Sequence, residues 1–188
     1  VGTVMGGNYK DGQGASFTGD SYISVFSGDV TGAIIGAGVV CHNSNAKFIG
    51  DTHIFVYTPL NTSNSRLHSE PADMVIGGFA WGTNVSQSQT VDGSTNVTID
   101  LTDYSGNATT FGKHIVGGNY NGRDTMQTVT GDTNIVLDLG EVSMAADMKV
   151  VGANWCDVGS TTVSGSTNIT VKSGTFVAPI VGGSWIAE

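Results

Sequence analysis

Four carboxylates follow two of the most regular runs of β-forming residues in the sequence. Asp100 and Asp103 come after one run, and Asp138 and Glu141 come after the next. A glycosidase needs two carboxylates about 5 to 9 Å apart, and Asp100 and Asp138 occupy matching positions in neighbouring runs, so they could lie side by side. The alternative, which we favour, is that acidic residues at strand ends are solvated turn residues.

Basic residues and histidines give a weaker chemical signal. A polysaccharide lyase would need a basic residue beside a carboxylate cluster that binds calcium. Lys113 and His114 precede an apolar run, and Arg123 with Asp124 could lie near the carboxylates, but no matching cluster is visible. No zinc-like spacing connects the histidines, which are His42, His53, His68 and His114. We therefore predict no catalytic residue, no metal site and no cofactor.

Three aromatic residues are the candidates for ligand binding. Tyr120, Trp155 and Trp185, like Tyr9, each stand three residues after the first glycine of a recurring apolar-apolar-glycine motif. If the repeats stack, Tyr120, Trp155 and Trp185 fall into one column. An exposed column of rings is a platform for sugar rings or for a hydrophobic partner. Rings that face inward would pack the interior instead, and this is the interpretation we favour.

The composition limits the class of protein. The 188 residues include 28 glycines, only 12% are charged, and the net charge is −9. Low charge with abundant glycine and β-branched residues is typical of an all-β domain with many tight turns. The few scattered basic residues argue against nucleic acid and anionic membranes as partners. No apolar run approaches the roughly 20 residues that span a bilayer.

Three short motifs recur in the same order along the chain. The first is an apolar residue, any residue and glycine, with its glycine at Gly19, Gly50, Gly93, Gly131 and Gly165. The second begins three residues later and alternates between apolar and polar residues, for example in Asn134-Ile135-Val136-Leu137. The third is an apolar pair closed by glycine, as in Ile115-Val116-Gly117 and Ile180-Val181-Gly182. The first-motif glycines are 31, 43, 38 and 34 residues apart, and the variation falls in the loops.

Fixed motifs with variable loops are typical of a solenoid. We predict a single all-β domain over residues 1–188, a right-handed parallel β-helix of about five rungs with three short strands each. The second motif should form a buried ladder that includes Val97, Ile99, Ile135, Leu137, Ile169 and Val171. Thr58–Asp73, with two prolines, and Gly82–Thr90 should be loops that leave the solenoid.

Two polar features accompany the ladder. Asn96, Asn134 and Asn168 occupy one position in three successive repeats, which favours a hydrogen-bonded amide ladder over a binding surface. Cys41 and Cys156 are three repeats apart, about 14 Å along the stack. That distance exceeds the roughly 7 Å limit for a disulfide, so we expect free thiols or pairing with another chain.

The repeat resembles those of large bacterial surface β-helix proteins. The pattern Gly-Ser/Asp-Thr-Asn-Val/Ile-x-Ile/Leu, followed by Gly-Gly-x-Trp/Tyr, is similar to passenger regions of autotransporter-type adhesins and to pectate-lyase-like surface repeats, and it covers Val4 to Trp185. The resemblance implies a secreted, extracellular location on a bacterial cell surface. It also implies a non-catalytic structural or adhesive segment, with glycans or a host surface as partners. The alternative is a β-helix polysaccharide lyase, glycosidase or glycan-binding module.

The two ends of the chain carry the last sequence prediction. Residues 1–9 hold only the third motif, and the chain closes on the third motif of another repeat. An uncovered rung would expose unpaired backbone groups. We therefore expect the 188 residues to be a fragment of, or a repeat unit in, a longer assembly. Its ends would stack on further rungs or on identical chains, which would grow into a filament.

Overall fold

All regular structure in the computed structural model is β-strand. The structure describes residues 2–11, 15–41, 45–61, 73–80, 88–121, 125–157 and 159–186. Over these residues the strands form four parallel sheets, which we name A to D. The prediction of an all-β protein with parallel strands is confirmed. No helix in the described ranges is long and apolar enough to cross a membrane.

Sheets A and B hold the short strands on either side of each glycine pair. The strands of sheet A are β1 (Val4–Met5), β5 (Ile34–Ile35), β9 (Met74–Ile76), β14 (His114–Val116), β18 (Val150–Val151) and β22 (Ile180–Val181). Those of sheet B are β2 (Asn8–Asp11), β6 (Gly38–Cys41), β10 (Phe79–Ala80), β15 (Tyr120–Asn121), β19 (Trp155–Cys156) and β23 (Trp185–Ile186).

Sheets C and D hold the longer strands of the first and second motifs. The strands of sheet C are β3 (Ala15–Thr18), β7 (Ala46–Ile49), β11 (Ser88–Asp92), β16 (Thr125–Val129) and β20 (Gly159–Val163). Those of sheet D are β4 (Ser21–Val25), β8 (Thr52–Val56), β12 (Thr95–Asp100), β17 (Thr133–Met144) and β21 (Thr167–Phe176). The two-residue β13 (Thr110–Phe111) pairs with the far end of β17.

The chain visits the four sheets in a fixed order. From β3 onward it passes through sheet C, then D, A and B, and returns to sheet C one strand further on. The sequence analysis predicted three strands per repeat, and the structure corrects this to four. The missed strand lies in sheet B. The pair Gly117-Gly118 bends the chain between β14 and β15, so the aromatic residue after the bend starts a separate strand.

In the inner repeats, the glycine that closes the apolar pair lies where successive repeats approach closely. A Cβ atom on Gly77 would collide with the carbonyl oxygen of Gly117, and one on Gly117 with that of Gly152. From across the interior, the hydroxyl of Thr52 donates a hydrogen bond to the Gly77 carbonyl at 2.7 Å. Glycine is therefore needed here because only a residue without a side chain permits this backbone contact.

The predicted ladder forms the main core between sheets D and A. Val97 pairs in register with Ile135, and Ile99 with Leu137, and all four side chains are buried. They pack against the first residue of each sheet A pair, such as Ile115. The second residue of each pair faces the other way and packs with the sheet B residues.

The ladder prediction is wrong for the last repeat. Ile169 pairs with Ile135 and Val171 with Leu137, as the motif predicts. Val171 is nevertheless 46% exposed, and Ile169 is only partly buried. The register is correct, but over the described residues no strand covers the far side of β21. The open edge beside β21 therefore leaves Val171 exposed, whereas Ile23 and Val25 stay buried on β4, the edge strand at the other end of sheet D.

Parts of the predicted loops lie outside the described residues. These parts are residues 62–72 of the Thr58–Asp73 segment and residues 82–87 of the Gly82–Thr90 segment. Thr58 and Leu60, at the start of the first segment, are buried, and Leu60 belongs to the main core. The described start of this segment therefore contributes to the core.

Candidate functional site

The three aromatic candidates stack in one column of sheet B. Tyr120 pairs with Trp155, and Trp155 pairs with Trp185. The Tyr120 and Trp155 rings are 6.1 Å apart at 73°, and the two tryptophan rings are 6.2 Å apart at 52°. These tilted geometries are favourable aromatic contacts. The column packs against the second residue of the sheet A pairs, including Val116 and Val151, whose side chains face away from the main core.

Polar groups hold the column in place. The Tyr120 hydroxyl and the Trp155 Nε1 both donate hydrogen bonds to the Asp157 carboxylate, at 3.1 and 2.9 Å. The Lys149 ammonium lies 5.3 Å from the centroids of both tryptophan rings, which is a cation–π distance. His114 contacts Trp155 edge-on, with ring centroids 5.0 Å apart.

His114 is electrically neutral in this setting. Its Nδ1 accepts a hydrogen bond from the Lys149 backbone N–H at 3.0 Å, so in the neutral ring the proton sits on Nε2. Burial lowers the pKa of His114, and the nearby Lys149 charge lowers it further, while Asp147 and Asp73 oppose the shift. The imidazole is therefore a packing element of the column and a weak proton acceptor.

A ligand would reach only one end of the column. Tyr120 and Trp155 are 9% and 8% exposed, whereas Trp185 in the last repeat is partly exposed. The shared column agrees with the repeat alignment, and packing accounts for its first two rings. Ligand binding by Tyr120, Trp155 and Trp185 stays a prediction, with Trp185 and Lys149 as the accessible groups. The Tyr9 backbone continues the column through its pairing with Val39, but its side chain lies outside the described set.

The carboxylate pair lies side by side, as the strand pattern predicts. Asp100 and Asp138 are cross-strand neighbours in sheet D. Hydrogen bonds from the Thr102 hydroxyl and then from its backbone N–H lower the pKa of Asp100. Asp138 accepts a hydrogen bond from the Ser173 hydroxyl and lies 3.8 Å from the Lys172 ammonium. Both carboxylates thus have structural partners.

An open cleft of about 720 Å³ lies beside this pair, between the 101–109 segment and the irregular middle of β17. Asp138, Glu141, Tyr104 and Asn107 contribute to its lining. A glycosidase needs one carboxyl with a raised pKa and one that stays ionised. The pKa of Asp100, the cross-strand neighbour of Asp138, is lowered, so Asp100 does not supply the general acid. Asp103 is an exposed turn residue.

Among the described residues considered for a lyase, Lys113 has a structural role. Lys113 is fully buried, where its ammonium pairs with Asp73 at 3.2 Å and donates to the Gly32 carbonyl at 3.2 Å, so it ties loops of three repeats together. Arg123 and Asp124 lie outside the described residues, as do His42 and His68. Within the described ranges, no three His, Cys, Asp or Glu side chains are grouped to hold a metal ion.

The asparagine row forms the predicted amide ladder. Asn168 donates to Asn134 at 2.9 Å, Asn134 donates to Asn96 at 3.0 Å, and Asn96 donates to the Thr52 carbonyl at 3.1 Å. Cys156 is a buried thiol, and the side chain of Cys41 lies outside the described set.

An exposed group of aromatic rings was missed by the sequence analysis. It lies on the outer face of β4 and β8, and we call it the aromatic grid: Tyr22, Phe26, His53, Phe55 and Tyr57. The signal was present in the stretches Tyr22-Ile23-Ser24-Val25-Phe26 and His53-Ile54-Phe55-Val56-Tyr57, where rings occupy the polar face of the alternation.

Comparison with known protein families, with curated proteins and with solved structures finds no match to this chain. The function therefore has to be argued from the residues and their geometry.

Proposed function

We propose that this protein is a non-catalytic structural or adhesive segment, built as a right-handed β-solenoid, that acts outside a bacterial cell. The observation that carries the proposal is the parallel stacking of repeats in all four sheets, in register apart from shifts between Leu137 and Ser143, with no described strand beyond the outermost one at either end. We assign a right-handed path because crossover connections between parallel strands are strongly biased toward the right-handed form. The resemblance to surface β-helix repeats supports the location and the adhesive role.

Side-chain ladders between repeats support a structural role. At the corner between sheets C and D, the backbone N–H of each repeat donates to a side-chain oxygen of the preceding one. The donor–acceptor distances are 2.8, 2.7, 3.1 and 2.7 Å along the series Asp20, Asp51, Ser94, Asp132 and Ser166. Each further repeat is thus held by the same bonds as the last, which is how solenoid stability grows with length.

The uncovered edges indicate that further rungs belong at the ends. Among the described strands, β4 and β21 are the outermost long strands of sheet D. The last repeat exposes large apolar residues, namely Val171, Val177, Ile180 and Ile186. Apolar side chains beside an unpaired strand edge are a template for another strand.

The order of the strands decides what kind of rung fits. After β23 in sheet B, the next strand of a continuing path must lie in sheet C on β20. The first described strands of the chain, β1 and β2, lie in sheets A and B. If a second copy of the 188-residue chain placed β1 on β22 and β2 on β23, sheets C and D would each lack one strand between the copies. A fitting continuation therefore starts with a sheet C strand, and identical copies meet out of phase.

Two fusions test this proposal. In the in-phase fusion, residues 15–188 follow Glu188 directly, so that residues 187 and 188 separate β23 from the new β3, just as residues 157 and 158 separate β19 from β20. In the out-of-phase fusion, residues 1–188 follow Glu188. We expect the in-phase fusion to melt in one transition above the Tm of the single chain, and the other to melt like the single chain. Equal melting of the two fusions would contradict continuation through the ends.

The second candidate function is a carbohydrate-active enzyme, and the cleft beside Asp138 and Glu141 favours it. An assay of glycan depolymerisation, with and without calcium, separates the two functions. We expect no unsaturated or reducing products under either condition. Product release that disappears in Asp138→Asn would establish the enzyme and remove the non-catalytic proposal.

A further inference from the structure

The aromatic grid has the regular spacing of a two-by-three array. Across the strands, Tyr22 stacks on His53 with centroids 4.6 Å apart and planes within 5°, and Phe26 stacks on Tyr57 at 5.1 Å and 8°. Along β8, the His53–Phe55 and Phe55–Tyr57 centroid distances are both 6.5 Å, again with nearly parallel planes. Five of the six outward positions of the array therefore carry parallel rings.

Ser24 occupies the sixth position. It pairs in register with Phe55 and lies between Tyr22 and Phe26 on β4, as Phe55 lies between His53 and Tyr57 on β8. Ser24 is exposed, and Tyr22 and Phe26 on either side are 67% and 71% exposed. At the matching position of the neighbouring strand, the ring of Phe55 fills the corresponding space. The space above Ser24 is therefore about as wide as one ring, and one face of Phe55 closes it on one side.

Polar groups lie beside this space. Ser24 and Phe26 line an open cavity of about 540 Å³ at the uncovered edge of β4, together with Ser27, Asp29 and the core residues Val4, Ile23, Val25 and Val30. Two hydroxyls and a carboxylate can exchange hydrogen bonds with the hydroxyls of a ligand. Apolar ring contacts with a few convergent polar groups are typical of small-ligand sites.

We propose that this space is a binding subsite for one uncharged pyranose ring of a glycan, which stacks on Phe55 between Tyr22 and Phe26. The ring face of Phe55 is the negative part of its quadrupole, so the C–H face of a sugar is a suitable partner. The net charge of −9 and the adjacent Asp29 disfavour anionic ligands such as nucleotides or sulfated sugars. The subsite lies on the outward face of β4, an outermost strand of sheet D, and it goes beyond the structural role of the proposed function.

Binding is measured by titration, followed by NMR, with three neutral probes: cellopentaose, maltopentaose and mannopentaose. N-acetyl-L-tyrosinamide serves as a probe for an aromatic side chain of a protein partner. We expect saturable binding of at least one pentaose. Phe55→Ala should weaken this binding at least about fivefold, the scale of one aromatic contact.

Ser24→Phe is the decisive variant, because it completes the array from within the chain. We expect it to abolish pentaose binding while its Tm stays equal to or above that of the unchanged protein. Thr170→Phe is the matched control: it adds a phenyl ring in the same outward column of the last repeat, away from the grid, and should leave binding unchanged.

The binding results distinguish the glycan subsite from the alternatives. If no pentaose binds, or if Ser24→Phe binds as well as the unchanged protein, the subsite proposal is overturned. If only the tyrosine amide binds and Ser24→Phe blocks it, the occupant is an aromatic side chain and the glycan assignment falls. Failure of the in-phase fusion to melt as one unit would count against continuation of the stack and would leave these binding results unaffected.

Discussion

Ile135 tests the register of the buried ladder at the scale of a single residue. Its side chain is 1% exposed and lies between Val97 and Ile169 in sheet D. Ile135→Asp would bury a carboxylate without a partner, which we expect to cost at least about 3 kcal/mol of unfolding free energy. Urea denaturation measures this cost. Thr170→Asp, on the exposed face of the same sheet, is the control and should change stability little. An unchanged denaturation midpoint in Ile135→Asp would show that the register is wrong.

The asparagine ladder offers a graded comparison. Asn134 takes part in two ladder bonds, donating to Asn96 and accepting from Asn168, whereas Asn168 contributes one. A side-chain hydrogen bond contributes about 0.5 to 1.5 kcal/mol net. We expect Asn134→Ala to lower the free energy of unfolding by about 1 to 2 kcal/mol and Asn168→Ala by roughly half as much. Equal losses in the two variants would contradict the assignment of two ladder bonds to Asn134.

His114 gives the fold a dependence on pH. Burial holds its folded-state pKa below the usual value, while the unfolded chain binds the proton near pH 6.5. Between these two values the unfolded state binds more protons, so stability is fully present above about pH 6.5 and is lost as the pH falls toward the folded pKa. We expect the free energy of unfolding to decrease over this window, and to decrease less in His114→Asn, which keeps an acceptor for the Lys149 N–H. Parallel pH profiles for the two proteins would exclude His114 as the cause.

Residue types predicted some roles well and others poorly. The alternation around Ile135 and the recurring asparagines were sufficient to predict a buried ladder and an amide ladder, because both depend on strand periodicity and repeat alignment alone. The sequence did not decide whether Tyr120 and Trp155 form an exposed platform or pack in the interior, because their burial depends on a bend that closes sheet B onto sheet A. The aromatic grid was missed because each of its rings, taken singly, is an ordinary strand residue.

At the scale of one element, the glycine corner between sheets A and B decides whether a repeat can stack. A Cβ on Gly117 would collide with the Gly152 carbonyl, whereas a Cβ on Gly182, the same position in the last repeat, has no atom within 4 Å. We expect Gly117→Ala to cost at least about 2 kcal/mol through overpacking and lost contact between repeats. Gly182→Ala should be close to neutral. Thermal and urea denaturation of the two variants give the comparison, and similar losses would contradict the close approach of successive corners.

The same corner explains why the sequence predicted three strands per repeat and the structure has four. The apolar pair and the aromatic residue are separated by only three residues, the first of which is glycine, so they were taken as one motif. Two-residue strands such as β15 and β19 carry no periodicity that could reveal a separate sheet. They are defined by pairing with the repeats above and below, which a single pass along the sequence does not contain.

At the scale of the whole molecule, stability should behave as a sum over repeats and their contacts. The last repeat, β20 to β23, has a neighbour on one side only among the described strands, and its ladder residue Val171 is 46% exposed. A substitution whose cost in unfolding free energy depends on contact with a repeat on each side should therefore cost a different amount in this repeat than in the inner ones. In the last repeat, this cost should change when a further rung is added in the correct phase.

Substitution of Gly182 tests this expectation. In the single chain its position is open, so Gly182→Ala should leave the free energy of unfolding within about 0.5 kcal/mol of its starting value. In the in-phase fusion, Ile34–Ile35 of the second unit lies on β22, and the following Gly36 carbonyl lies beside Gly182 as Gly152 lies beside Gly117. The same substitution should then cost at least about 2 kcal/mol, as Gly117→Ala does in the single chain. Gly182→Ala in the out-of-phase fusion is the control for the added length. A substitution that is silent in both fusions would mean that the second unit folds beside the first and does not continue it.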